Sequence, residues 1–378
     1  MRTKLPEIGP SIFSVMSGMA TECNAINLSQ GFPDFPTDPD LIELVAQAMR
    51  DGYNQYAPLA GIYSLRERIG AMIYSLHGRQ YDPATEITLT VGASEALFNA
   101  ITAFVYTGDE VIIIKPAYDI YEPPILMQGA KPVSVQLKPP YTHLDWEAVK
   151  SAISPKTRMI IINTPHNPSG MMFSKADMQT LEKLVKDTNI LILSDDVYEH
   201  ITFDGRQHES AARYPHLAER ALITASFGKT FHVTGWKIGY CLAPAVLMRE
   251  LQKVHQLNIF CVHHPTQRAL ATYLENPDKY LYLANFYQKK RDFFLDLLQD
   301  SRFIFEPTQG TYFQLLDYSA ITQEPDVAFA ERLTKEYGVA SIPVSVFNEN
   351  GKDDHLLRFC FAKSNETLEK AAEILNTI

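Results

Sequence analysis

The sequence predicts an α/β protein, a mostly parallel sheet with helices on both faces plus a smaller α+β domain. Three observations carry this. From residue 86 onward, short apolar runs alternate with segments of helical length, the pattern of right-handed crossover units. Those runs are apolar on both faces, as strands covered from both sides are. The 378 residues, 46% hydrophobic and 21% charged, have an ordinary globular composition and length enough for more than one domain.

Residues 38–52 and 62–77 carry apolar positions three and four apart and read as helices, with an aromatic, turn-rich loop at 53–61 between them. The apolar runs at 86–91, 111–114, 158–163, 189–194 and 221–225 read as strands, with 237–242 a sixth. Segments 94–106, 144–153 and 174–187 read as helices between them. Beyond about residue 245 the pattern turns mostly helical, clearest at 245–257, 264–300 and 325–337, with strands at 311–316, 339–342 and 355–361. The expected division is an N-terminal segment 1–35 joining the small domain, a large domain 36–280, and a small α+β domain 281–378.

The 34 basic and 44 acidic side chains give a formal charge of −10, so no nucleic-acid partner is expected. A membrane span needs about 20 consecutive apolar residues, and the purest runs here, such as 111–114, are far shorter, so no membrane association is expected. The N-terminal MRTKLPEIGP has basic residues with no apolar stretch behind them and predicts no signal peptide. Cys23, Cys241, Cys261 and Cys360 form no C-x-x-C pair, which predicts a reducing, cytoplasmic setting without structural zinc. His255, His263 and His264 have no carboxylate or cysteine at metal spacing, so no metal is expected there.

Ligands of an open α/β sheet collect beyond the carboxyl ends of its strands. After 86–91 come Gly92, Ala93 and Ser94, a turn opening a helix whose free N–H groups suit phosphate. After 111–114 comes the ring of Tyr118. After 158–163 comes Asn167, an amide between prolines in a turn ending at Gly170. Asp195, Asp196 and Tyr198 follow 189–194, while Ser226 and Lys229 follow 221–225, with Lys237 beyond. Singly these are ordinary caps and loop residues. A phosphate turn, a ring, an amide, an acid, a phenol and an amine on one rim make a pattern.

Pyridoxal 5′-phosphate, a phosphorylated aromatic aldehyde, has a use for each group. Lys229 would condense with the aldehyde, its amine kept partly neutral by burial and by Lys237. Asp195 would face the pyridine nitrogen and keep it protonated, so that the ring accepts electrons from a breaking C–H bond. Asp196 is the alternative, but neighbouring strand residues point to opposite faces, and the spacing of three to Tyr198 favours Asp195. Asn167 and Tyr198 would donate to the phenolic oxygen, and Tyr118 would stack on the ring. Ala93, Ser94, Ser226 and Lys237 would hold the phosphate. Once released, Lys229 is the natural base for the substrate α-proton.

The run SFGKTFHVTGWKIG at 226–239 resembles the lysine signature of class I/II aminotransferases. Asn167 to Gly170 (NPSG), residues 194–199 (SDDVYE) and residues 357–361 (LRFCF) are similar to the family's other motifs, and the likeness runs from 29–36 (SQGFPDFP) to the C-terminus. It is nearest the kynurenine, glutamine and methionine aminotransferase branch. The resemblance implies fold type I for this cofactor and a homodimer with shared active sites. It places the substrate α-carboxylate on Arg358 in a bidentate pair, helped by Asn167 and the Gly31 backbone. It sends Tyr56 to the phosphate of the neighbouring subunit's cofactor, and it makes Phe13 and Phe260 aromatic walls of the substrate pocket. Lys237 departs from the arginine of many relatives, giving a point charge in place of a bidentate clamp. The segment at 12–13 lacks a tryptophan, and no second arginine is placed to meet a side-chain carboxylate.

The reading is therefore an aminotransferase moving the amino group of a neutral sulfur-containing or aromatic amino acid (methionine, glutamine, kynurenine or phenylalanine type) to a 2-oxo acid by a ping-pong mechanism. A β-lyase acting on cysteine conjugates with the same cofactor is the alternative. A non-catalytic amino-acid sensor ranks below both, for want of room for a DNA-binding module. A dehydrogenase is disfavoured, since no G-x-G-x-x-G follows an early strand.

Overall fold

In chain order the strands are β1 (Ile26–Asn27), β2 (Ile87–Thr90), β3 (Glu110–Lys115), β4 (Lys131–Gln136), β5 (Thr157–Asn163), β6 (Leu191–Asp195), β7 (Ala221–Ser226), β8 (Gly239–Leu242), β9 (Phe313–Asp317), β10 (Val339–Ala340), β11 (Ile342–Pro343) and β12 (Leu356–Cys360). They come from a computed structural model that describes residues 3–6 and 8–378. Met1, Arg2 and Glu7, part of the stretch read for a signal peptide, lie outside the described residues.

Seven strands form the central sheet in the order β2-β8-β7-β6-β5-β3-β4. All neighbours are parallel except β8, which runs antiparallel to both β2 and β7. Successive residues of β3 alternate between two apolar clusters. Ile112 and Ile114 enter the cluster that contains Leu65, Ile69 and Ile162, while Val111 and Ile113 pack with Leu97, Ile101 and Leu251 on the other face. Both faces are thus dry, and this is why the strands read as unbroken apolar runs. A second, antiparallel sheet has the order β11-β12-β9, and β1 pairs in parallel with β10, tying an early segment to a late one.

The predicted α/β class agrees with this architecture, and each of the five parallel runs forms a strand. Several elements differ. The edge strand β4 was not expected: Lys131 and Pro132 at its start break the apolar pattern, and an edge is where a proline's missing N–H is tolerated. The run at 237–242 becomes strand only from Gly239, because Lys237 has a left-handed φ of 51° and ends the short turn Thr234–Trp236. The segment 264–300 is three helices, His264–Tyr273, Asp278–Leu281 and Leu283–Leu297, interrupted around Pro277. Helices Ile12–Glu22 and Asn365–Leu375 were not anticipated. Among the described residues no helix is long and apolar enough to cross a membrane.

Candidate active site

Sheet register gathers the rim. Asn163 at the end of β5 pairs with Asp195 at the end of β6, which pairs in turn with Thr224 of β7. Because β8 runs the other way, its first residue, Gly239, lies beside both Thr90 and Ser226, the last residues of β2 and β7. Lys237, just before β8, is thereby delivered to the same edge. Only glycine fits at 239, where a Cβ would stand 2.4 Å from the Ala225 carbonyl oxygen and 2.9 Å from the Ala93 nitrogen. A Cβ on Gly92 (φ 71°) would meet Lys237 Nζ at 3.4 Å, so the ammonium sits at the start of the helix Gly92–Phe104. Val91 gives that helix no side-chain cap, leaving its first N–H groups directed at the cleft mouth.

A cleft of about 390 Å³ opens there, lined by Ala93, Ser94, Tyr118, Asn167, Asp195, Tyr198, Ser226, Lys229 and Lys237 from the large sheet's rim, with Phe13, Gly31 and Arg358 opposite. Lys229, in the short helix Phe227–Thr230, points its Nζ to the Gly31 carbonyl at 3.2 Å. Burial, aided by Arg358 and Lys237, brings its pKa down to about 8. Asp195 is 2% exposed and accepts the Tyr121 O–H at 2.6 Å, and burial lifts its pKa to about 6. Burial likewise raises the Tyr198 phenol, which therefore keeps its proton to donate. Asp196 turns away from the cleft, with Oδ2 3.0 Å from His208 Nε2.

Arg358, on β12, is 1% exposed. Its Nη1 donates to Asn167 Oδ1 at 2.7 Å and its Nη2 to the Ser29 carbonyl at 2.8 Å, while Nε has no partner among the described residues. The guanidinium lies 3.9 Å from the Phe313 ring centroid and 5.1 Å from that of Phe13. Among the described residues no carboxylate pairs with it, so a buried cation here awaits an anion.

Several cleft residues escaped the sequence reading. Tyr121 holds Asp195, and Asn163 donates to the Asp195 carbonyl at 2.8 Å while accepting the Asn167 N–H at 2.7 Å. Tyr312 donates to the same Gly31 oxygen that Lys229 approaches, at 2.7 Å, and Phe313 floors the guanidinium. Two expected residues are not brought to the cleft of their own chain. Tyr56 is 82% exposed, and its ring packs edge-on against the half-exposed Phe260 with centroids 5.6 Å apart. His255 binds Glu95 Oε1 at 2.6 Å, an acid whose other oxygen accepts the Val91 N–H at 2.5 Å just before Gly92.

These residues fit pyridoxal 5′-phosphate. An uncapped helix start beside the Lys237 ammonium suits its phosphate, a buried acid suits a ring nitrogen, and a lowered amine suits an aldehyde. The orphaned Arg358 Nε suits the carboxylate of a substrate.

Comparison with known proteins points the same way. Residues 24–375 match the family described as aminotransferase class I and II. A methionine aminotransferase of Escherichia coli is 46% identical over 100% of this chain and 98% of its own length. A kynurenine–oxoglutarate transaminase of Dictyostelium discoideum is 37% identical, covering 97% of this chain and 94% of that protein. The solved structure of YbdL from Escherichia coli, reported with a methionine aminotransferase function, superposes with a TM-score of 0.98 at 46% identity, over 100% of this chain and 99% of that one.

Proposed function

The chain belongs to the class I and II aminotransferases, a family dependent on pyridoxal 5′-phosphate, and from that premise we propose that it moves the amino group of a neutral sulfur-containing or aromatic amino acid, methionine above all, to a 2-oxo acid. The observation that carries the reading is the buried Arg358 guanidinium, held by Asn167 and unpaired at Nε, in the same cleft as the lowered Lys229 amine. An α-amino acid offers the matching pair of a carboxylate and an amine on one carbon.

Bound in this cleft, the cofactor supplies an aldehyde and an electron-accepting ring. Lys229 anchors it, and as a free amine takes the proton from the substrate α-carbon, a task favoured by a pKa near neutrality. Asp195, oriented by Tyr121, would stand at the ring nitrogen as an anion and keep it protonated. Tyr198 and Asn167 would donate to the phenolic oxygen, and Tyr118 would cover the ring. Its phosphate would be held by the N–H groups of Ala93 and Ser94, by Ser226 and by Lys237. Arg358 and the Asn167 amide orient the carboxylate, and Phe13 forms one wall of the side-chain pocket.

Arg358 is the only arginine among the described residues lining the cleft, which argues for a neutral side chain in the donor. The methionine and kynurenine transaminases among the relatives favour the same class. We read the enzyme as a homodimer in which Tyr56 and Phe260 serve the partner's cleft, and as working in the cytoplasm, where its four free cysteines would stay reduced. The deciding experiment is kcat/KM for a panel of amino donors against several 2-oxo acids. Methionine, glutamine, phenylalanine and kynurenine should exceed aspartate and glutamate by at least tenfold, and a preference for aspartate would overturn the assignment. Release of pyruvate and ammonia from a cysteine conjugate without an oxo acid would reveal the lyase instead.

A further inference from the structure

Residues 195–200 present two faces. Asp195 and Tyr198 line the cleft, while Asp196 and Glu199 point into a buried polar cluster behind it. There Asp196 Oδ2 lies 3.0 Å from His208 Nε2, and its Oδ1 accepts the Ser194 hydroxyl at 2.5 Å. Glu199 Oε1 accepts the Tyr240 O–H at 2.8 Å, and its Oε2 lies 3.4 Å from His77 Nε2. The His77 and His208 rings meet edge to face with centroids 5.7 Å apart. His208 is 5% exposed, and its Nδ1 has no partner among the described residues. None of these groups has a place in the chemistry described above.

The arrangement sets an electrostatic problem. Asp195 and Asp196 are consecutive, 2% and 1% exposed, and in a dry interior the Asp196 charge pushes Asp195 toward its protonated form. Asp195 must nevertheless be an anion if it is to hold a proton on a ring nitrogen. We propose that His208 is a positioning residue acting through Asp196: as an imidazolium it cancels the Asp196 charge, and so leaves the adjacent Asp195 free to ionise at the cleft.

The surroundings select His208 for this task. His77 accepts from Arg213 Nε at its Nδ1 (3.3 Å) and turns its Nε2 to Glu199, so its polar contacts are with Arg213 and Glu199. The charged groups acting on His208 are Asp196 and Glu199 on the turn, favouring the cation, and Arg213 opposing it. His200 also lies close, and burial together with the other histidines keeps it toward the neutral form. Burial is the largest influence and disfavours an imidazolium at 208, but Asp196 and Glu199 together outweigh it and hold the pKa above its ordinary value.

The inference rests on the reading of Asp195 as the partner of the ring nitrogen, and the test separates the two. The dissociation constant of pyridoxal 5′-phosphate from the apoprotein is measured against pH by fluorescence, for the native chain and for variants. His208→Gln keeps a donor to Asp196 but loses the charge. It should move the acid limb of binding up by about one pH unit, whereas Asp196→Asn, which removes the acid together with the contact that keeps the imidazole charged, should leave the limb close to its native position. The double variant should return close to the native limb. Asp195→Asn should remove the limb altogether; if the limb persists, the reading of Asp195 fails. If the limb vanishes there but His208→Gln leaves it in place, or Asp196→Asn moves it up as far as His208→Gln does, the His208 proposal alone fails. Should a single variant not fold, ¹⁵N shifts of the His208 ring in the native holoprotein decide. Protonation of both ring nitrogens at pH 7 supports the proposal, and a neutral ring overturns it.

Discussion

Burial lifts the Asp195 carboxyl to about 6, against about 3.9 for a solvated aspartate, and that shift has a stability consequence. Between those two values the folded state binds more protons than the unfolded chain, so stability falls as pH rises through the interval, and the loss is complete above it. At pH 7 the empty site is therefore destabilised by up to about 3 kcal/mol through this one group. Asp195→Asn should leave the apoprotein more stable than native at pH 7 and about equal at pH 4, while cutting kcat at least a hundredfold. Calorimetry on both apoproteins checks this, and a less stable variant at pH 7 would contradict it. Lys229, Asp195 and Asn167 were legible in the sequence because they stand just past apolar runs that mark strand ends. Arg358 came from the motif likeness alone, since an arginine in an alternating strand has no distinctive local pattern. Tyr121 was not legible: its partner Asp195 lies far along the chain, and a tyrosine after a strand reads equally well as core. The same holds for Phe313, whose role is to lie flat beneath a guanidinium from another strand.

At the level of elements, the reversal of β8 matters most, because it carries Lys237 to the carboxyl ends of β2 and β7. Its hinge is Gly239, packed against backbone atoms of Ala225 and of the turn at Gly92 and Ala93. Backbone cannot rotate aside as a flexible side chain does. Gly239→Ala should therefore push the helix Gly92–Phe104 off the strand ends, weakening pyridoxal 5′-phosphate binding at least tenfold and lowering the melting temperature. Equilibrium dialysis and a thermal scan measure both, and unchanged affinity would show that the turn tolerates the shift. Composition could not reveal this reversal, since a strand dry on both faces looks alike in either direction. For the same reason the central strands were the easiest elements to read. The edge strand β4 was hard, because it has one solvated side and a proline, and the break near Pro277 was masked by helical periodicity resuming beyond it.

At the scale of the whole molecule, the argument turns on Tyr56 and Phe260. Their rings pack on each other, yet neither reaches the cleft of its own chain. Leu257 (87% exposed) and Ile259 (41% exposed) sit beside Phe260 in sequence, so an apolar patch is left open on the 42.7 kDa chain. A second copy covering this patch would hide the apolar side chains and bring Tyr56 to a neighbouring cleft. Sedimentation should then give about twice the chain mass. A sharper consequence follows from mixing two inactive variants, Lys229→Ala and Tyr56→Ala, and letting the subunits exchange. If Tyr56 serves the partner's site, each mixed dimer contains one site with both native residues, and activity reappears on mixing. If Tyr56 acts only within its own chain, every site in the mixed dimer keeps a lesion and no activity is regained. Recovery that follows the fraction of mixed dimers would establish that neither chain completes its active site alone.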